Sequence, residues 1–380
     1  MKISGPWLDV SGTQALLAAL SSAGYQAFFV GGCVRDAIIG VQVGDIDIAT
    51  DAHPDAVTRI ATDSGFRVVP TGLDHGTVTV IADAIPHEVT TLRRDVQTDG
   101  RHAVVAFATD IKEDAARRDF TMNALYAAAD GTVIDPLNGV PDLLARRVRF
   151  VGNPQERIAE DYLRILRFFR FHAIYGDPAQ GFDADGLAAC AANLAGLETL
   201  SRERVRSEIR KLLGAFDPAP SLATMEQTGV LAQVMPGSTA RSLHVLVHLE
   251  DGSPRDWLCR LAVLGGGDTA ESLRLTRVEA ASIAQIRAEI GTTTAPDALG
   301  WLYGEAVAGD ILYARAALLE APLPLDWQDH VMRGVGATFP VTAADLMPRL
   351  QGAELGKKLK SVQARWLATG LALTRRELLA

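Results

Sequence analysis

The sequence predicts an α+β protein: a small mixed sheet with helices in the first third, followed by helices alone. Three observations carry that expectation. Residues 26–30, 45–50, 77–82 and 87–92 are apolar, β-branched or alternating runs of strand length. Helical patterns over 33–39 and 54–64 lie between them. From about residue 142 the strand patterns stop, and alanine- and leucine-rich helical periods follow, broken at glycine and proline clusters such as 176–178, 217–220 and 322–324.

At 380 residues the chain has room for two or three domains and a core that needs neither disulfides nor a structural metal. Its cysteines, Cys33, Cys190 and Cys259, lie far apart without CxxC spacing, which is no disulfide framework. No apolar run reaches the ~18–20 residues of a membrane span, and residues 1–10 lack the basic start and apolar stretch of a signal peptide. A cytoplasmic protein with no membrane partner is expected. The net charge of −9 argues, as an average, against a nucleic-acid binder. Lysine occurs only six times among the 37 basic residues, so arginine, whose planar fork reads phosphates and base edges, dominates.

The run Phe28-Phe29-Val30-Gly31-Gly32-Cys33-Val34-Arg35-Asp36 reads as strand, tight turn and helix start. Glycines there let backbone approach a ligand, and N–H groups opening a helix favour phosphate, to which Arg35 would add a charged contact. A purely structural turn is the alternative. Ten residues on, Asp45-Ile46-Asp47-Ile48 alternates, so a strand would present Asp45 and Asp47 on one face and the isoleucines to a core. Paired carboxylates repel unless a cation lies between them, and Mg²⁺ is the hard cation of phosphate chemistry. Glu88, in the alternating run His87-Glu88-Val89, offers a third carboxylate if its strand lies beside the first; otherwise it faces solvent. Two Mg²⁺ ions on such acids suit two-metal phosphoryl transfer.

Asp110-Ile111-Lys112-Glu113 is a helix start, which predicts that Arg117-Arg118-Asp119-Phe120-Thr121-Met122-Asn123-Ala124-Leu125-Tyr126 lies in a helix, with Asp119 and Asn123 one turn apart. Such polar groups suit sugar hydroxyls, and Arg118 suits a phosphate; a solvated face is the alternative. A second helix is expected over 158–171, where Asp161, Arg164, Arg167 and Arg170 interrupt an apolar and aromatic sequence. Arginine buried there needs a partner or a cleft. Asp161 and Arg164 at i, i+3 form either an internal ion pair or a reader of base edges. Cytosine and adenine both place an amino donor beside a ring-nitrogen acceptor, whereas uracil and guanine reverse the order. An aspartate accepting and an arginine donating would select C and A together without a template.

With GGCVRD (31–36), DID (45–47), RRDFTMNALY (117–126), DPLNGVPDLLARRVRF (135–150) and EDYLRILRFFRF (160–171) in this order, the chain resembles the class II CCA tRNA nucleotidyltransferase and poly(A) polymerase family, most closely its bacterial CCA-adding enzymes. The likeness is strong over about 25–175 and weaker beyond, where LSRERVRSEIRKLL (200–213) is similar to a family helix. It implies a polymerase-β-like nucleotidyltransferase head over 1–140, a helical neck with the nucleobase-binding helix over 141–215, a helical body over 216–320, and a tail over 321–380 that contacts tRNA. It implies Asp45 and Asp47 as metal-binding and catalytic residues, with Glu88 as third catalytic carboxylate. Gly32, Arg35, Arg118, Asp161, Arg164, Arg167 and Arg170 are the implied nucleotide contacts, with Asp119 and Asn123 at the ribose. The partners implied are CTP, ATP and the tRNA 3′ end, with Mg²⁺ as cofactor and no protein partner evident. Some relatives carry a phosphohydrolase domain with a His-Asp pair; no such pair occurs here, so no phosphatase or phosphodiesterase activity is expected. Poly(A) addition is the nearest alternative activity, and a nonenzymatic nucleotide-responsive RNA-binding module a more distant one.

The charge is unevenly spread. Residues 146–170 hold seven arginines against three acids, 202–211 five bases against two acids, and 349–376 seven against one. An acidic chain with cationic helical stretches is compatible with RNA.

Overall fold

Seven strands form one mixed sheet in the computed structural model, which describes residues 1–72, 76–99, 102–347 and 349–380. The described chain divides into two compact units, Met1–Leu200 with Thr228–Val230, and Ser201–Gln227 with Leu231–Ala380.

In the first unit α1 (Ser11–Ser22) precedes β1 (Ala27–Val30), α2 (Gly32–Ile38), β2 (Ile46–Thr50) and α3 (Pro54–Asp63). Then come β3 (Arg67–Gly72), β4 (Thr77–Ala82), β5 (Ile85–Thr91) and a separate hairpin of β6 (Arg93–Asp99) and β7 (His102–Phe107). After α4 (Ile111–Ala116) the short strands β8 (Tyr126–Ala127) and β9 (Val133–Ile134) complete the large sheet, ordered β3-β4-β5-β2-β1-β8-β9. Its β2–β5 pair is parallel and the rest antiparallel, which confirms the mixed sheet. Alternation does the expected work: on β4, Val78, Val80 and Ala82 are buried while the threonines and Ile81 between them are half-buried. Strands β8 and β9, two residues each, are too short to leave a period in the sequence.

Helices α5 (Gly139–Leu144), α6 (Pro154–Glu160), α7 (Leu163–Tyr175) and α8 (Ala184–Ala192) finish the unit. An aromatic cluster lies along α7: Phe120 and Phe150 have ring centroids 5.0 Å apart, and Phe150 stacks on Phe168 at 5.1 Å. These rings are fully buried and contribute both area and favourable ring geometry.

The second unit is helical. At its core Arg260 is fully buried; it pairs with Glu250 at 2.6 Å and donates to the carbonyls of Leu213, Ala215 and Phe216 at the end of helix Arg202–Leu213. Val341, Val362, Trp366 and Leu378 form a smaller cluster near its end. Among the described residues no helix is long and apolar enough to cross a membrane.

Two expectations are corrected. The helix expected over 117–126 ends at Ala116, and Phe120 is extended, pairing across a bridge with Phe150. Burial of the Phe120 ring against α7 and the return of Arg117 and Arg118 to Asp114 override the helical pattern. The helix expected over 158–171 breaks at Asp161, with φ −154° and ψ 104°. The Asp161 carboxylate accepts from Leu163 N at 3.1 Å, a local bond that competes with helix continuation. Asp161 and Arg164 therefore do not lie at i, i+3 on one helix.

Candidate active site

Strand β1 runs into Gly31, whose φ of +71° belongs to the region glycine tolerates, and α2 starts at the next residue. A Cβ placed on Gly31 would lie 3.4 Å from Arg118 Nη1, in ordinary van der Waals contact, so it is the backbone conformation that calls for glycine.

Beside this turn, β2 and β5 set Asp47 directly opposite Glu88 in parallel register, so the two side chains share one face of the sheet. Asp45 stands one residue ahead of β2, exposed, and its charge is felt at Asp47. Burial first, then the charges of Glu88 and Asp45, push the Asp47 carboxyl up to about 6, against the pull of Arg118. Two neighbouring acids thus act on Asp47 against one guanidinium. Among the described residues no three His, Cys, Asp or Glu side chains form a ready-made metal cage. The donor set is nonetheless all hard oxygen and short of cation, which fits a divalent ion that takes its remaining positions from phosphates and water.

The arginines form the second half of the site. Arg118 donates to Asp114 Oδ2 through Nε at 3.2 Å and Nη2 at 2.9 Å, and Arg117 Nε reaches Asp114 Oδ1 at 2.8 Å. Tyr126 OH donates to the same carboxylate at 2.6 Å. Burial would raise the Asp114 carboxyl, but the two guanidiniums overcome it and hold it down at about 2. Asp114 was not singled out in the sequence, although its spacing of three and four residues to Arg117 and Arg118 is the signal of a helical ion pair.

Arg35 is buried. It donates to both oxygens of Asp36 at 2.8 and 3.1 Å, to Asn123 Oδ1 at 2.6 Å and to Tyr175 OH, with its guanidinium 4.0 Å from the Tyr175 ring centroid. Asn123 Nδ2 donates to Asp119 Oδ1 at 3.0 Å, and Arg167 Nε donates to Asp119 Oδ2 at 2.8 Å. Asp119 and Asn123 thus meet as expected, but through a turn and as buried partners of each other. Two backbone bonds, Thr121 N to Arg149 O at 3.0 Å and Val151 N to Asp119 O at 3.0 Å, clamp this turn. Gly139 packs so closely that a Cβ would lie 2.2 Å from Thr121 O.

Arg164 pairs with Glu160, which also holds Arg157, and donates to the carbonyls of Arg157 at 2.7 Å and Arg117 at 3.3 Å. The Arg170 guanidinium lies 4.6 Å from the Phe171 ring centroid. Sequence spacing found Arg35 and the arginines of α7, and missed Glu160 as the holder of Arg164 and Asp36 and Tyr175 as holders of Arg35. Arg35 and Tyr175 are 140 residues apart, a pairing no local pattern announces.

A glycine turn, paired carboxylates on a small mixed sheet and an adjoining arginine helix define a nucleotidyltransferase head. Residues 27–149 match the family described as poly A polymerase head domain, and residues 182–241 that described as probable RNA and SrmB-binding site of polymerase A. The head is therefore similar to the poly A polymerase head-domain family, a likeness that implies a divalent metal as cofactor. The chain is 42% identical over 217 residues to the mitochondrial CCA tRNA nucleotidyltransferase 1 of Mus musculus, covering 56% of this chain and 50% of that protein. It is 40% identical over 226 residues to the CCA-adding enzyme of Lacticaseibacillus paracasei, covering 59% and 55%. The chain thus spans about half the length of the curated relatives it matches. In structure it is similar to the Bacillus stearothermophilus CCA-adding enzyme in complex with CTP, with a TM-score of 0.77, 28% identity and coverage of 96% of this chain and 94% of that one. The Thermotoga maritima CCA-adding enzyme complexed with tRNA shares the fold, with a TM-score of 0.69, 18% identity and coverage of 99% and 95%.

Proposed function

We propose that this chain is a CCA tRNA nucleotidyltransferase that adds C, C and A to the tRNA 3′ end from CTP and ATP and releases pyrophosphate. The observation that carries the reading is Asp47 set against Glu88 and Asp45 beside the Gly31 turn, with too little positive charge around it. Asp45 and Asp47 would hold Mg²⁺, whose chemistry when bound is to lower the pKa of the attacking 3′-hydroxyl and neutralise the departing pyrophosphate. Glu88, opposite Asp47 in register, would take up the hydroxyl proton as the new oxygen–phosphorus bond forms and the α–β bridge breaks. Gly32 and Arg118 face the triphosphate, and Arg35 steadies the helix that follows the turn. Asp161 and Arg164 read the base edge, with Arg167 and Arg170 behind them. Uracil or guanine in that place would leave buried polar groups unpaired, at about 1–3 kcal/mol each.

Lys357, Lys358 and Lys360 are exposed on the helix Gly352–Ala368, which supports a tail that meets tRNA phosphates. The chain is read as a head, neck, body and tail bounded near residues 140, 215 and 320. Its place is the cytoplasm, a reducing compartment that suits three free, buried thiols.

The test is incubation of the purified protein with tRNA lacking its 3′ end, offered CTP and ATP separately and together. Product that stops after CCA is expected. Long adenosine runs would make it a poly(A) polymerase, and no product would leave an RNA-binding module.

A further inference from the structure

We propose that Asn123 is a positioning residue for nucleotide selection, joining the phosphate-side turn to the base-reading helix. The inference rests on the catalytic reading above. Asn123 is the junction of three arginines. Its side-chain oxygen accepts from Arg35 on α2 at 2.6 Å, and its backbone oxygen accepts from Arg118 at 3.4 Å. Its amide nitrogen donates to Asp119, whose other oxygen accepts from Arg167 on α7 at 2.8 Å. The amide can face only one way: reversed, its NH₂ would meet a guanidinium and its oxygen a carboxylate. Arg35 follows the Gly31–Gly32 turn, and Arg167 is one turn along α7 from Arg164. A chain of alternating donors and acceptors, buried at Arg35, Asn123 and Asp119 and partly exposed at Arg167, transmits position because no member can shift without leaving another unpaired.

The chemistry supplies its own test. Asn123→Asp is isosteric, and its protonated acid reproduces both bonds, the O–H donating to Asp119 and the C=O accepting from Arg35. Once ionised it sets two carboxylate oxygens against each other where a hydrogen bond stood. The charged and titratable groups facing it are Arg35 and Asp36 from α2, Arg118 and Asp119 from the turn, and Arg167 and Tyr175 from α7. Arg35 and Arg167 are already matched by Asp36 and Asp119, so the added carboxylate brings uncompensated charge and retains a proton more strongly than an ordinary aspartate.

The experiment measures kcat/KM for CTP and for UTP on tRNA lacking its 3′ end, for the wild type, Asn123→Asp and Asn123→Leu, between pH 6 and 8.5, with melting curves at each pH. Relative to the wild type, Asn123→Asp should recover CTP incorporation by about tenfold or more as the pH falls, one decade for each unit titrated. Asn123→Leu should stay low at every pH and lose CTP-over-UTP preference. A flat ratio for Asn123→Asp, a wild-type preference in Asn123→Leu, or losses that follow unfolding in the melting curves would overturn the positioning role. If Asn123→Leu does not fold, the pH series of Asn123→Asp decides alone. Failure of the wild type to incorporate any nucleotide is a different result: it brings down the catalytic reading and the inference with it.

Discussion

Asp47 and Asp114 are two acids of the same unit, both drawn out of water, and burial acts on each in the same direction. Their carboxyls nevertheless end on opposite sides of the ordinary value, Asp47 up at about 6 and Asp114 down at about 2. The difference is the company each keeps. Asp47 faces Glu88 and Asp45 with one guanidinium to offset them, whereas Asp114 holds Arg117, Arg118 and the Tyr126 hydroxyl. One acid has its cations built in, and the other is left short of them. A site that recruits a metal and a triphosphate needs the second kind, and a frame that positions arginines needs the first.

The largest expected effect breaks the cation-short side. Asp47→Asn should lower nucleotide incorporation by at least about 10³-fold, the loss of several kcal/mol of charge stabilisation in the transition state. Binding of tRNA, read by gel shift, should survive. Retained incorporation would sink the metal-site argument.

Stability should move the other way. Asp47, with its carboxyl raised in the fold, contributes most when protonated, and that contribution is lost as pH rises from about 4 to about 6. Without metal, Asp47→Asn should therefore be more stable than the wild type at pH 8, by about 1–2 kcal/mol once solvent screening is allowed for, and no more stable below pH 4. Asp114 has a lowered carboxyl, so its contribution is present above about pH 4 and lost as pH falls toward 2. Asp114→Ala strands two guanidiniums and a hydroxyl and should cost about 3–5 kcal/mol at pH 7 in denaturant unfolding. Equal and same-signed shifts in the two variants would remove the contrast.

How much of this could be read in advance follows the range of each interaction. Strands β2, β4 and β5 follow from alternation over a few residues, which is local, whereas the pairing of Asp47 with Glu88 depends on β2 and β5 being neighbours, which alternation leaves open. The arginines of α7 were visible because charge inside an aromatic sequence demands a partner. Their partners were less so: Asp161, at i, i+3 from Arg164, competes in the sequence with Glu160 at i, i+4, and Asp119 reaches Arg167 only through the fold, as Tyr175 and Asn123 reach Arg35 on α2. The 117–126 segment misled because its helical pattern is weaker than the pull of Phe120 into the aromatic cluster and of two arginines toward Asp114.

On the frame side, Arg164→Ala should leave triphosphate binding largely intact and lower the CTP-over-UTP preference by about 5- to 150-fold, the equivalent of 1–3 kcal/mol for an unpaired buried group. An unchanged preference in competition assays would show that Glu160 holds Arg164 for packing alone.

The smallest effect sharpens the contrast most directly. If Asp47 is raised by its neighbours as well as by burial, deleting one neighbour's charge without changing its shape should lower it. Glu88 stands opposite Asp47 in register and its charge outweighs that of Asp45. Glu88→Gln should therefore lower the Asp47 carboxyl by up to about one unit, a like-charge contact of ~1 kcal/mol at a partly solvated site. Asp45→Asn should lower it by less. Carbon NMR of the side-chain carboxyls in metal-free protein reads this without requiring turnover, which Glu88→Gln itself impairs. Asp114, held by its own arginines, should not move in either variant. If Asp47 stays near 6 in both, burial alone sets its value, and the acids around it lose their role in drawing a cation to the site.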